Sequence, residues 1–387
     1  MRVALILAAG FLVLFVGGGA RFAIGLTFKP MVDEFGWARG QLGLAVALYM
    51  VVSAFATLAA GRLADRVSAR LLLGAGTLVG AIGIGLMSLV SAPWHAMLLY
   101  GVVFAIGNGA TSLATVGVMV THAVSRRTGF ANAAVFSGTS VGQLVMIAAL
   151  AAVLVQIGWR SAFVWLAVAH LALIPFLWFA LPARAQHQAG SAPLEGHSLR
   201  EAARTPQFWQ LLAIYAICGL DDFFVSTHVV AFAQDRGVST LVAGNLLALM
   251  GLTALIGILS AGAFSDRTGP VVATALAFGA RILVFALIAI DQSPLSIAVF
   301  ALVYGATFLV TAPLTVLFVR DHFGVRHLGA LTGIINMVHQ IFGGIGAYGG
   351  ALVFDATGSY DAAFVFLLGA SVLALVLTLK LRRPRRA

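Results

Sequence analysis

The fold class this sequence predicts is an all-α membrane protein of twelve transmembrane helices, built as two similar six-helix halves. Three observations predict it. The chain of 387 residues is 61% hydrophobic and only 9% charged, with a mean hydropathy of +1.03, where a soluble domain carries about 25% charged residues. Apolar runs recur along its whole length, each near the ~20 residues that cross ~30 Å of hydrocarbon. Between two of these runs lies a compact charged loop, Gly61-Arg62-Leu63-Ala64-Asp65-Arg66-Val67-Ser68-Ala69-Arg70. A similar loop, Gly262-Ala263-Phe264-Ser265-Asp266-Arg267-Thr268-Gly269-Pro270, returns half a chain later, with Asp65 and Asp266 201 positions apart.

The runs are helices, because backbone groups in hydrocarbon must be paired within their own segment. They are too continuous for the alternating ten-residue strands of a membrane barrel. In order the spans cover 3–27, 40–61, 71–91, 95–121, 129–156, 161–182, 207–233, 238–264, 270–291, 294–320, 327–354 and 361–382. The first resembles a secretory signal, with Arg2, an apolar stretch and Gly17-Gly18-Gly19-Ala20. It continues to Thr27 with no soluble domain behind it, so it reads as an uncleaved span. The longest polar segment, 183–206, separates an N-terminal bundle (1–182) from a C-terminal bundle (207–387) that ends in a short basic tail. Arg127-Thr128-Gly129 opens the fifth span and Arg326-His327-Leu328-Gly329 the eleventh, with the two glycines 200 apart, so the repeat extends beyond the charged loops. Two parallel halves of this kind are one architecture of secondary transporters.

Lysine and arginine set the orientation. With the N-terminus inside, cytoplasmic segments hold 17 of the 23, external segments hold four (Lys29, Arg39, Arg160, Arg236), and Arg21 and Arg281 lie within spans. Both termini are therefore expected in the cytoplasm, with the chain in a bacterial inner membrane. The net charge of +10 sits in loops between spans and not on one face of a soluble domain, which argues against nucleic-acid binding. The single cysteine, Cys218, lies in an apolar run, so no disulfide is expected. Gly74, Gly76 and Gly80 follow no strand and suit helix packing better than a dinucleotide loop. No phosphate-binding loop, metal-ligand cluster or nucleophile triad is present. The sequence therefore points to no enzyme, no ATP-driven pump and no cofactor.

Gly61-x-Leu63-Ala64-Asp65-Arg66, with its weaker copy at Gly262–Gly269, resembles the loop signature of the major facilitator superfamily. The resemblance covers the whole chain and implies the major facilitator fold. Within that superfamily, Phe28-Lys29-Pro30-Met31 and Glu34-Phe35-Gly36-Trp37-Ala38-Arg39-Gly40-Gln41-Leu42 are similar to the first loop of the monocarboxylate and oxalate–formate type carriers. Phe354-Asp355-Ala356-Thr357-Gly358-Ser359-Tyr360 is similar to the segment before their last span. The resemblance implies a small organic anion as substrate, moved with protons or by exchange. It also implies a carboxylate-gripping arginine on the eighth span, whereas 238–264 holds no arginine or lysine.

Charges at membrane depth are costly and mark function by default. Arg21, Asp221, Asp222 and Arg281 qualify. By the resemblance, the first helix of each three-helix unit lines the cavity, which brings Arg21 and one aspartate of span seven to the substrate path. Adjacent helical residues point about 100° apart, so one of Asp221 and Asp222 faces the cavity and the other needs a partner, with Arg281 a candidate. The competing reading is a buried Asp222–Arg281 pair that only holds the helices together. A carboxylate at that depth can carry a proton between the two sides. Tyr49, Asn108 and Tyr304 fall on spans expected to line the cavity and are candidate substrate ligands. His339 and Gln340 join them, because span eleven supplies a basic ligand in some oxalate-type relatives. Gly61, Asp65, Arg66, Asp266 and Arg267 are assigned to a cytoplasmic gate, with each aspartate capping the helix that follows it.

The expected function is secondary active transport of a small mono- or dicarboxylate by a monomer in the lipid bilayer, with proton symport or anion exchange. Two other readings stay open: an exporter of hydrophobic, drug-like compounds, which the 27 phenylalanines keep in play, and a transporter-like membrane sensor.

Overall fold

The computed structural model describes residues 2–64, 67–124, 128–183, 196–324 and 326–381. The described chain is helical apart from short turns and an isolated bridge between Gly196 and Gly324. In order the helices are α1 (Arg2–Phe35), α2 (Arg39–Ala64), α3 (Ala69–Leu86), α4 (Pro93–Leu98), α5 (Ala105–Ala110), α6 (Leu113–Ala123), α7 (Thr128–Ala180), α8 (Leu199–Ala202), α9 (Pro206–Asp235), α10 (Thr240–Thr268), α11 (Pro270–Ile290), α12 (Pro294–Phe308), α13 (Thr311–Phe323), α14 (Leu328–Thr357) and α15 (Asp361–Lys380).

Among the described residues ten segments, one of them the joined α4–α6, are long and apolar enough to cross a membrane, and the bent pair α12 and α13 makes an eleventh span. The twelfth is contained in α7, whose 53 residues exceed any single span. This helix breaks at Gly158, which sits at φ 73° and ψ 163°. Only glycine adopts that conformation without strain, so Gly158 is the tight turn between two crossings. An even number of crossings puts both ends of the chain on one face, here called the terminus side; the opposite face is the far side.

Several expected boundaries shift. The first span does not stop at Thr27: α1 runs through Pro30 to Phe35. Its extra turns carry Lys29, Asp33 and Glu34, all engaged in ion pairs, so the emerging helix is held by its polar contacts. The loop expected at Gly262–Gly269 is also helical, because α10 continues to Thr268 and stops only at Gly269, with φ 83°. Asp266 therefore lies inside α10, and α11 starts on Pro270 without a side-chain cap. Before α3 the cap is Ser68, whose hydroxyl accepts a hydrogen bond from the Leu71 N–H at 3.3 Å.

The apolar core divides unevenly. On the far side it is one continuous cluster, with residues of α1, α2, α7, α9, α10 and α12 packed together, among them Phe28, Tyr49, Leu150, Phe232, Leu247 and Phe300. On the terminus side it splits in two. One part joins the early helices through Val13, Leu73, Val116, Val135 and Leu177. The other joins the late helices through Leu211, Phe278, Phe318, Leu331 and Ala374. A single core on one face and two on the other leaves a cleft between the early and late helices that points toward the termini.

Two spans are interrupted where they meet this cleft. Span four passes from α4 through a π-helical turn at Leu99–Phe104 into α5, then breaks at Thr111 and Ser112 before α6. Span ten breaks at Leu309 and Val310, with a bend of 41° between its parts. The breaks at Thr111–Ser112 and Leu309–Val310 are 198 positions apart, close to the spacing of the repeated loops. Broken helices at midspan free backbone groups for a binding site, which is their recurrent use in transporters; π-turns likewise collect at functional sites.

Candidate transport site

The cleft holds a cavity of about 230 Å³. Its walls come from α1 (Val13 to Arg21), α2 (Tyr49 to Thr57), the break of span four, α7 (Thr139), α9 (Tyr215, Asp222, Phe223), the break of span ten and α14 (Asn336, His339, Gln340). Of the expected substrate ligands, Arg21, Tyr49, Asn108, His339 and Gln340 line it. Tyr304 does not. It is fully buried behind the wall, and its hydroxyl donates to Asp222 Oδ1 at 2.8 Å.

On the α1 and α2 wall the polar groups are largely spent on one another. The Tyr49 hydroxyl donates to Asn108 Oδ1 at 2.6 Å, and Ser53 donates to Gln340 Oε1 at 3.0 Å. Arg21 differs. Among the described residues it makes no ion pair, and its buried Nε has no hydrogen-bond partner. Its guanidinium lies 4.8 Å from the centre of the Phe223 ring, a cation–π contact that holds the side chain without neutralising it.

The facing wall backs onto a charge cluster. Arg281, almost wholly buried on α11, pairs with Asp222 at 2.7 Å and with Asp221 at 3.6 Å. It also donates through Nε and Nη2 to Thr307 at 3.1 Å each. Asp222 Oδ2 lies 3.2 Å from His339 Nε2, and Asp221 Oδ2 accepts from Ser371 at 2.9 Å. Asp222 thus faces the cavity while Asp221 points away to α15, the division that 100° per residue requires. Two carboxylates share one guanidinium here. Glycines make the approach possible: Gly219 of α9 lies on the backbone of His339, and Gly343 of α14 lies on the Phe223 ring. A side chain at either would push α9 and α14 apart and separate His339 from Asp222.

Cys218, Asp222 and His339 each present a ligand atom within 4.8 Å of the others, a spacing that suits a metal ion. Arg281 already holds the other oxygen of Asp222 and contacts Cys218 Sγ at 3.5 Å. The cation of this cluster is the guanidinium.

The far side is closed by a network that sequence reasoning missed. Arg39, at the start of α2 and 5% exposed, donates to Asp235 of α9 at 2.6 Å and to the Tyr360 hydroxyl at 2.7 Å. Its guanidinium lies 3.6 Å from the centre of the Phe354 ring. Asp355 of α14 accepts from the backbone N–H groups of Arg39 and Gly40 at 2.8 and 2.6 Å, so the end of one helix caps the start of another. Lys29 reaches the same Asp235 at 3.2 Å. His228 lies beneath, between the Tyr360 hydroxyl and the Ala347 carbonyl. Arg160 and Trp159 hold Glu34, and Arg236 pairs with Asp361. All four basic residues assigned to the external segments are thus ion-paired. The legible signal was the acids at the same external ends of the spans, Asp33, Glu34, Asp235, Asp355 and Asp361. Of the residues assigned to a gate on the other face, Asp65 and Arg66 lie outside the described residues, Gly61 is an open position in α2, and Arg267 is exposed.

The model of the Major Facilitator Superfamily matches residues 10–347, with a second match over 211–387. The chain belongs to the Major Facilitator Superfamily. Its relatives include the uncharacterized MFS-type transporter YcxA of Bacillus subtilis, 26% identical over 86% of this chain and 83% of YcxA. Monocarboxylate transporter 13 of Bos taurus is 23% identical over 92% of this chain and 83% of its own length. Among solved structures, a bacterial homolog of the human lysosomal transporter Spinster, inward-facing and occupied, superposes with a TM-score of 0.81 at 16% identity, covering 98% of both chains. The nucleoside transporter NupG superposes with a TM-score of 0.76 at 16% identity, again over 98% of both. These likenesses give the superfamily fold of twelve helices, and the chain is an integral membrane transporter.

Proposed function

We propose that this transporter carries a small organic anion, a carboxylate, by alternating access, and that proton movement through the Asp221–Asp222–Arg281 cluster is coupled to it. The observation that carries the reading is Arg21, a cation in the cavity wall with no carboxylate partner among the described residues. An uncompensated charge at membrane depth is costly, and an anionic substrate would supply the missing partner. The resemblance to carriers of small organic anions, and a relative named as a monocarboxylate transporter, agree with it. For coupling, the support is two carboxylates against one arginine, with Asp222 at the cavity edge; the surplus negative charge is a place for a proton. The moving parts in this reading are the bundles 1–182 and 207–387, joined by 183–206. In this reading the protein is a monomer in a bacterial inner membrane, and the 17-to-4 distribution of basic residues supports cytoplasmic termini.

The test is uptake of radiolabelled small carboxylates into proteoliposomes, with and without an inward proton gradient. The wild type is expected to take up carboxylate faster with the gradient. Arg21→Gln is expected to lower uptake at least tenfold, the worth of a charged hydrogen bond of about 1.5–3 kcal/mol. Efflux of dyes or drugs with no carboxylate uptake would move the chain to the exporters.

A further inference from the structure

The walls of the cavity differ in what they leave unspent. Arg21 and His339 are the basic side chains lining it; Arg281 is withdrawn, 1% exposed and committed to two aspartates and Thr307. The cavity therefore offers a carboxylate one full positive charge, on the α1 wall. The α9 and α14 wall offers the opposite character: Asp222 with His339 against it, backed by Asp221. A second carboxylate placed there would face two carboxylates that share one guanidinium, and like charges in a wall of low dielectric repel strongly. A hydroxyl or an ammonium group would instead donate to the His339–Asp222 pair.

The spacing limits the molecule that joins the walls. The Arg21 guanidinium and the His339 ring lie 4.8 and 5.8 Å from the same Phe223 ring centre, so less than about 11 Å separates them. Hydrogen-bonding distances at each end take up about 4 Å apiece, so a molecule in line between them spans at most about 3 Å from carboxylate carbon to donor atom. Phe223 between the two ends gives the connecting carbons an apolar surface.

We propose that the cavity selects monocarboxylates bearing a hydroxyl or amino group two or three bonds from the carboxylate carbon, and discriminates against dicarboxylates. Arg21 holds the carboxylate and the His339–Asp222 pair holds the second group. This rests on the carboxylate reading of Arg21 and narrows it. Calorimetric titration of the purified, detergent-solubilised full chain with four three-carbon acids tests it: propionate, 3-hydroxypropionate, 3-aminopropionate and malonate. The hydroxy and amino acids are expected to bind about five- to tenfold tighter than propionate, the worth of one added hydrogen bond, and malonate at least tenfold weaker than the hydroxy acid. His339→Ala is expected to bring 3-hydroxypropionate to the affinity of propionate. His339→Gln, which keeps a hydrogen-bonding group, is expected to retain part of the preference. Equal binding of propionate and 3-hydroxypropionate by the wild type, or tightest binding of malonate, overturns the selectivity while leaving a carboxylate site that Arg21→Gln still weakens. No binding of any of the four by folded wild-type protein overturns both.

Discussion

Arg281→Gln is expected to destabilise the protein by about 3–5 kcal/mol, the cost of removing one partner of a buried ion pair, and to abolish transport. The guanidinium is 1% exposed and faces two carboxylates, one of them fully buried. Taking it away leaves Asp221 and Asp222 side by side with only Ser371, Tyr304, Cys218 and His339 to satisfy them. In detergent the apparent melting temperature should fall by roughly 10 °C. Restoring charge balance separates the structural role from the transport role. In Arg281→Gln combined with Asp222→Asn, the amides can still reach Tyr304, Thr307 and each other, so most of the lost stability should return. Stimulation of uptake by a proton gradient should not return, because the carboxylate facing the cavity is gone. A double variant that regains gradient-stimulated uptake would make the cluster a purely structural tie between α9, α11 and α12.

The fold was legible because its determinants are local and repeated. Apolar length gives the spans, and the spacing of Asp65 to Asp266 and Gly129 to Gly329 gives the two halves. The intramembrane charges were legible for the same reason: in a 9% charged chain, Arg21, Asp221, Asp222 and Arg281 stand out wherever they occur. Their partners were less accessible. Arg281 is 60 positions from Asp221 in sequence, and nothing local says that it meets both aspartates while Tyr304 is drawn behind the wall to Asp222. The breaks at Thr111–Ser112 and Leu309–Val310 lie within apolar stretches that read as continuous helices, although their near-200-residue spacing matches that of the loops. The far-side latch was missed because its charges were counted to set orientation and never matched with acids that are distant in the chain. The capping role given to Asp65 and Asp266 came from motif position alone; Ser68 fills that role before α3, and α10 runs on past Asp266.

Arg39→Ala is expected to shift the protein toward states open on the far side. Arg39 joins the start of α2, from the early helices, to α9, α14 and the Tyr360 segment, from the late ones, through Asp235, Phe354 and Tyr360. These contacts exist only when the far side is shut, so their free energy biases the equilibrium between states directly. Hydrogen bonds involving a charged group contribute about 1.5–3 kcal/mol, and a loss of 2 kcal/mol changes the ratio of closed to open about 30-fold. Packing of α2 on α14 at Gly43 and Ala351 persists in the variant, which keeps the closed state accessible and the protein folded. Spin labels at Ser91→Cys and Ala356→Cys, in a Cys218→Ser background, would report the far-side separation between the early and late helices. The wild type should give a single short distance and Arg39→Ala an added longer one. Asp235→Asn, which keeps a hydrogen-bond acceptor for Arg39 but removes the charge shared with Lys29, should give an intermediate population. An unchanged distance distribution in Arg39→Ala would mean that the continuous far-side core, and not the ionic latch, sets the resting state.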